Sequence, residues 1–182
     1  MKPWYETLFW DLVKLFVARS LPAGAVVVAG ELPSFGPDKA SADEAIRATL
    51  VSFAAAQVGE PYKYGAEGPD DADLNEWDCS ELFQHAFIRA GLQYPDGCVN
   101  QKAAIGHRRV LEPKAGDVFF YGPNKNGIPH TGMYCGDGSV IHADGGKARM
   151  VVRRPRYEVE GHVRFEGWFR HTDLSWPPED RA

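Results

Sequence analysis

Three cysteines and six histidines hold the means for nucleophilic chemistry in this chain of 182 residues. Cys79 follows Asp78 directly and opens a segment in which Leu82, Phe83, Ala86, Phe87 and Ala90 recur at helical spacing, so the thiol falls on the apolar stripe at the first turn of a helix. Asp78 is a good N-cap and Glu81 stands at the partner position of a capping box, which makes Cys79 the first helical residue. A thiolate there meets unpaired N–H groups and the positive end of the helix dipole, and both lower its pKa. The two neighbouring carboxylates act in the opposite sense, so the thiol needs a base. The competing reading of a cysteine on an apolar stripe is a small buried hydrophobe, and the histidines decide between them.

His85 falls on the polar side of the Cys79 helix, His107 sits beside Arg108 and Arg109, and His162 and His171 stand among alternating polar residues; all four read as solvated. His130 and His142 instead fall on two strands of one hairpin that turns at Gly136-Asp137-Gly138. A thiol facing two such imidazoles has a nucleophile, a base and a group to orient the base. Cys79, His130 and His142 could also be read as zinc ligands, but they lack the local ligand pair of such sites, so no metal and no cofactor are expected.

The hairpin register decides whether that trio can form. A two-residue Asp137-Gly138 turn sets His142 opposite Met133, on the face away from His130. A three-residue loop with Gly138 left-handed pairs Cys135 with Ser139 and sets His142 opposite Gly132, diagonal to His130. The expectation is the three-residue loop, with both imidazoles on the face turned toward Cys79 and Cys135 on the other. Asp144 then stands opposite His130 as a reserve residue for orienting it.

The remaining pattern supplies the scaffold. Ser41 to Val58 reads as a helix, with Ser41 as cap, Glu44 as its capping-box partner, and Ile46, Leu50, Phe53 and Ala54 as its apolar face. A polar loop from Gly65 to Glu76 leads to Cys79, and after Gly91 the chain reads as loop until Lys114. Val118 to Tyr121, His130 to Cys135, Val140 to Ala143, Met150 to Val152 and Val163 to Phe169 read as strands of an antiparallel meander. Helices first and strands second give an α+β domain. Ahead of it, in residues 1–40, Trp4, Leu8, Leu12, Leu15 and Phe16 form a helical stripe suited to docking on the core, a partner protein or a membrane surface, followed by a Pro- and Gly-rich connector. Asp11, Lys14 and Arg19 interrupt this stretch, so neither a membrane span nor a signal peptide is expected. A net charge of −5 without a basic stripe excludes a nucleic-acid partner. Three cysteines without CxxC spacing suggest neither a disulfide framework nor a zinc knuckle.

Five blocks, in order, resemble those of NlpC-type cell-wall cysteine peptidases: Pro61-Tyr62-Lys63-Tyr64-Gly65, Asp78-Cys79-Ser80, Ala115-Gly116-Asp117-Val118-Phe119-Phe120, His130-Thr131-Gly132-Met133-Tyr134-Cys135-Gly136 and Ile141-His142-Ala143. The resemblance spans residues 44 to 152 and implies a papain-like fold, the 41–182 segment being the catalytic domain with a C-terminal strand extension. It implies hydrolysis of amide bonds in peptidoglycan stem peptides, commonly after a γ-linked D-glutamate. Carried over by position, Cys79 is the nucleophile, His130 the base and His142 the third polar residue; Tyr62 binds or polarises the substrate, and the N–H of Cys79, between Asp78 and Ser80, contributes to the oxyanion hole. The family's usual glycine after Asp-Cys-Ser is Glu81 here, which a capping role explains and which alters the expected specificity. With no export signal read, carriage by a phage particle or release at lysis is the expected context. The alternatives are a catalytically silent structural or binding module, and an amidase or acyltransferase on another substrate. Trp168 and Trp176 fall outside the five blocks, as core or glycan-binding residues.

Overall fold

In a computed structural model of the protein, which describes residues 39–66, 76–127 and 129–171, the apolar spacing of the sequence turns into two helices laid on a sheet, with a third beside them. Ile46, Leu50 and Ala54 line the buried side of helix α1, Lys39–Ala56. The helix begins two residues ahead of Ser41, so Ser41 lies within its first turn and the Ser41–Glu44 box does not start it. Gly59, at φ +100, ends the turn that follows, a conformation that costs glycine little. From there Gly59 N donates to Val151 O at 2.9 Å and Tyr62 N to Arg149 O at 2.9 Å, fastening the Tyr62 segment to the sheet. Helix α2 spans Glu81–Arg89 and buries Leu82, Phe83, Ala86 and Phe87. Helix α3, Cys98–Ile105, occupies part of what reads from sequence as loop, and only Cys98, Gln101 and Ile105 of it are buried.

The strands are β1 Arg109–Val110, β2 Val118–Tyr121, β3 His130–Tyr134, β4 Ser139–Asp144, β5 Met150–Pro155 and β6 Phe165–Phe169, with a short helix α4, Arg156–Glu160, between the last two. They form one antiparallel sheet in the order β1-β6-β2-β3-β4-β5. The meander runs from β2 to β5 as expected. β6 then departs from it, returning to the free side of β2 with a register shift at Phe120/Tyr121.

Side-chain alternation gives the sheet two different faces. Val118, Phe120, Met133, Ile141, Ala143, Val151 and Phe169 pack with α1 and α2 in one buried cluster, which also contains Cys79. Phe119, Tyr121, Tyr134, Val140 and Trp168 pack with Val159 of α4 in a second. Fully buried Phe83, Phe87, Phe120 and Met133 in the first cluster stabilise the fold by about 1.5–3 kcal/mol each. Trp168 is a core residue, its Nε1 donating to Glu160 Oε1 at 2.8 Å; Trp176 and the expected N-terminal helix lie outside the described residues.

Among the described residues, Asp117 is the most fully enclosed of the buried carboxyl groups. Oδ2 accepts from Lys114 N at 2.8 Å and Arg170 Nη2 at 2.7 Å, while Oδ1 accepts from Arg47 Nη1 at 3.2 Å and Arg170 Nε at 3.0 Å. Such charge-assisted bonds make the burial tolerable. No helix among the described residues is long and apolar enough to cross a membrane.

Candidate active site

The turn before α2 is built on one oxygen. Asp78 Oδ1 accepts from Ser80 N at 2.8 Å, Ser80 Oγ at 2.9 Å and Glu81 N at 2.9 Å, satisfying donors that a helix start leaves open. Asp78 thus caps as its residue type suggests, but regular helix begins at Glu81, and Cys79 and Ser80 occupy the capping turn rather than the helix. Glu81 does not close a capping box. Its carboxyl is buried near His85, Oε2 to Nε2 3.4 Å, and burial pushes its pKa up. His85 is correspondingly not solvated: its ring meets Trp77 edge-on at 5.1 Å and stacks on Phe53 at 6.4 Å. The residue that departs from the family pattern is thereby enclosed instead of displayed.

Cys79 is 8% exposed. Its thiol is lowered to about 5, first by a hydrogen bond with the Cys98 thiol and then, against the cost of burial, by a hydrogen bond and charge interaction with His130. Cys98 is pushed up, chiefly by that same contact with Cys79.

The hairpin adopts the three-residue loop. Met133 faces Ile141 and Tyr134 faces Val140, Cys135 N donates to Ser139 O at 2.9 Å, and Gly136 and Gly138 both have positive φ, +92 and +85. This register sets Gly132 opposite His142, and His130 Nε2 lies 3.0 Å from His142 Nδ1 with the rings at 84°. A Cβ on Gly132 would stand 2.9 Å from His142 Cβ and 2.3 Å from Phe119 Cε1, so only glycine leaves room for the two rings. Burial first, then the charge of His130, drives the His142 pKa down to about 3, and the ring is neutral in ordinary conditions.

Two expectations are corrected. Parity places His130 and His142 with Phe119, Tyr121 and Trp168, on the sheet face away from α1 and α2, whereas Cys79 belongs to the cluster on the helical side. Thiol and imidazole therefore meet at the strand end, where His130 opens β3. Cys135 does point the other way, against the helical cluster. Asp144 does not orient His130; its oxygens accept from Gly146 N at 2.7 Å and Ala148 N at 3.2 Å and cap the turn after β4.

Tyr62 is half-buried beside Cys79, and burial together with the Cys79 charge raises its phenol well above the usual range. Its ring lies against Gly145, where a Cβ would come within 2.5 Å of Cζ. The Ser80 hydroxyl is committed to Asp78, and its carbonyl accepts from Gln101 Nε2 at 2.9 Å. Gln101 and Cys98 have no role in the sequence reading; the turn signal Pro95-Asp96-Gly97 ahead of them is the feature that could have revealed the helix they sit on. Among the described residues no group of three or more His, Cys, Asp or Glu side chains is disposed to hold a metal ion.

Helices on an antiparallel sheet, with a cysteine at a capped helix start and paired imidazoles on neighbouring strands, make up a papain-like α+β architecture. The sequence pattern described as the NlpC/P60 family matches residues 59–162, more than half of the chain, and the chain belongs to that family. The peptidoglycan endopeptidase RipB of Mycobacterium tuberculosis is 32% identical over 143 residues, which are 74% of this chain and 56% of RipB. The chain thus spans little more than half the length of that relative. The solved structure of the peptidoglycan hydrolase RipB from Mycobacterium tuberculosis has a TM-score of 0.56 at 26% identity, covering 89% of this chain and 79% of that one. RipD from Mycobacterium tuberculosis, described as a non-catalytic NlpC/p60 domain protein adapted to peptidoglycan binding, shares the fold at a TM-score of 0.54 and 20% identity, over 70% of this chain and 97% of its own.

Proposed function

We propose that this protein is a cysteine endopeptidase that hydrolyses amide bonds in peptidoglycan stem peptides, with Cys79 as nucleophile, His130 as base and His142 as the residue that orients it. The observation that carries the reading is the joining of a depressed Cys79 thiol to His130, itself 3.0 Å from a neutral His142. His142 Nδ1 can accept the proton on His130 Nε2, which leaves Nδ1 of His130 for the thiol. The thiolate attacks the peptide carbonyl, His130 gives its proton to the leaving amine, and water activated by the same ring releases the acyl group. Asp78 takes the N–H groups of Ser80 and Glu81, so the N–H of Cys79 is the donor proposed for the oxyanion, with the persistently protonated Tyr62 hydroxyl beside it. The names of the relatives supply the substrate class. Nothing in this reading requires a phage particle.

Mass spectrometry of peptidoglycan digested with the wild type and with Cys79→Ala tests it. Stem-peptide fragments ending at a new carboxyl are expected from the wild type alone. Stem peptides released whole from the glycan would mark an amidase, and unchanged peptidoglycan that nonetheless retains the protein would mark a binding module of the kind RipD represents.

A further inference from the structure

The mechanism above uses one of two thiols that share a buried cluster. Cys98 opens α3 as Cys79 precedes α2, and both belong to the same buried cluster. Gln101, one turn beyond Cys98 and fully buried, donates Nε2 to the Ser80 carbonyl at 2.9 Å, which clamps the first turn of α3 against the residue next to Cys79. Each thiol is the leading influence on the other's acidity, and both are free. Cys135, the third thiol, lies instead on the hairpin, where its backbone N donates to Ser139 O at 2.9 Å. A cysteine needs neither a sulfur neighbour nor this clamp in order to fill a core.

We propose that Cys98 is a resolving thiol, which captures peroxide-oxidised Cys79 as an intramolecular disulfide and so protects the nucleophile from irreversible oxidation. The proposal rests on Cys79 being the reactive thiol of the site. In the first step the Cys79 thiolate attacks one oxygen of hydrogen peroxide, breaking the O–O bond and giving a sulfenic acid and hydroxide. In the second the Cys98 sulfur displaces the sulfenic hydroxyl, and the Cys98 proton leaves with it as water. Two thiols and one peroxide give one disulfide and two waters, the sulfurs losing the two electrons that the peroxide gains. The bonded sulfurs must close to about 2.05 Å, an approach that begins from two helix starts already held together by the Gln101–Ser80 bond. Without Cys98 the sulfenic acid has no partner at hand and proceeds to the sulfinic acid, which dithiothreitol does not reduce.

The experiment treats the full chain with hydrogen peroxide, blocks remaining thiols with iodoacetamide and digests with trypsin. Cleavage after Lys63, Arg89 and Lys102 separates Cys79, in residues 64–89, from Cys98, in residues 90–102. The wild type is expected to yield these two peptides joined, at about 2 Da below their summed thiol mass. Dithiothreitol should separate them and restore iodoacetamide reactivity at Cys79 to at least about half its starting level, against less than about a tenth in Cys98→Ser, whose 64–89 peptide should carry two added oxygens. A wild-type chain that accumulates doubly oxidised Cys79 while Cys98 remains alkylatable, or that links Cys79 to Cys135, overturns the proposal without recourse to any variant. The link is read by mass, so a chain that forms it and leaves peptidoglycan intact refutes the endopeptidase reading alone. A chain that cleaves peptidoglycan but overoxidises refutes this proposal alone.

Discussion

On the sheet face covered by α1 and α2, β2 to β4 present Val118, Phe120, Met133, Ile141 and Ala143, with Thr131, whose hydroxyl is spent on Phe119 O at 2.9 Å. On the opposite face the same strands present Phe119, Tyr121 and Tyr134 together with His130, Gly132 and His142. The first face is filled to exclude water. The second mixes rings that shed water with rings that exchange protons, and its glycine is a gap kept for them. Alternation along a single strand therefore divides the labour, since adjacent residues of β3 serve stability and chemistry in turn.

The largest expected effect sets His130 against Met133. His130→Ala should lower kcat/KM by about a thousandfold or more, about 4 kcal/mol in transition-state stabilisation, with little loss of melting temperature. Met133→Ala, which empties a fully buried site, should cost about 2–5 kcal/mol of stability in chemical denaturation and leave kcat of the folded fraction unchanged. If Met133→Ala abolished turnover in folded protein, the division between the faces would fail. Between these two positions, Gly132→Ala forces a methyl into Phe119 and His142. It should cost about 1–3 kcal/mol and lower activity by more than about tenfold at once, a coupling that urea titration and peptidoglycan assays of one preparation would reveal.

The effect that unfolds most gradually concerns pH. The folded state holds His142 neutral down to about pH 3, whereas an unfolded chain protonates it near the ordinary histidine value of about 6.5. Between these values the unfolded state binds more protons, so the contribution of His142 to stability rises with pH and levels off above about 6.5, with a slope of at most about 1.4 kcal/mol per pH unit from this group. His142→Asn should flatten that slope. An unaltered slope from pH 4 to 6.5 would mean that the aromatic face does not discharge the ring.

Much of this division could be read from residue order. The α+β class, the apolar stripe of α2, the loop of the hairpin and the pairing of His142 with Gly132 all follow from spacing and turn chemistry, because a one-residue slip would have parted the imidazoles. Which face the helices would cover did not follow. Parity fixes that two side chains share a face and is silent on what packs there. The enclosure of His85 and Glu81 escaped the stripe argument for a related reason, since α2 is covered by Trp77 and Phe53 on a side that its own periodicity marks as polar. Helix α3 escaped because Cys98-Val99-Asn100-Gln101-Lys102 has no apolar stripe to announce it. The return of β6 to β2 is set by long-range pairing, and strand signals do not encode neighbours.

The enclosed Asp117 has a bearing on how this chain can be shortened. Its guanidinium partners come from α1 and from the residue after β6, close to the two margins of the described region. A truncation that removes either arginine strands part of a negative charge in an apolar interior, at an expected cost of about 3–5 kcal/mol. The carboxylate is also bonded to the residue that leads into β2, the strand next to the imidazoles. Trimming at a margin distant in sequence would therefore loosen the strand that holds Phe119 against His142. Minimal versions of this domain have to begin ahead of Arg47 and continue past Arg170.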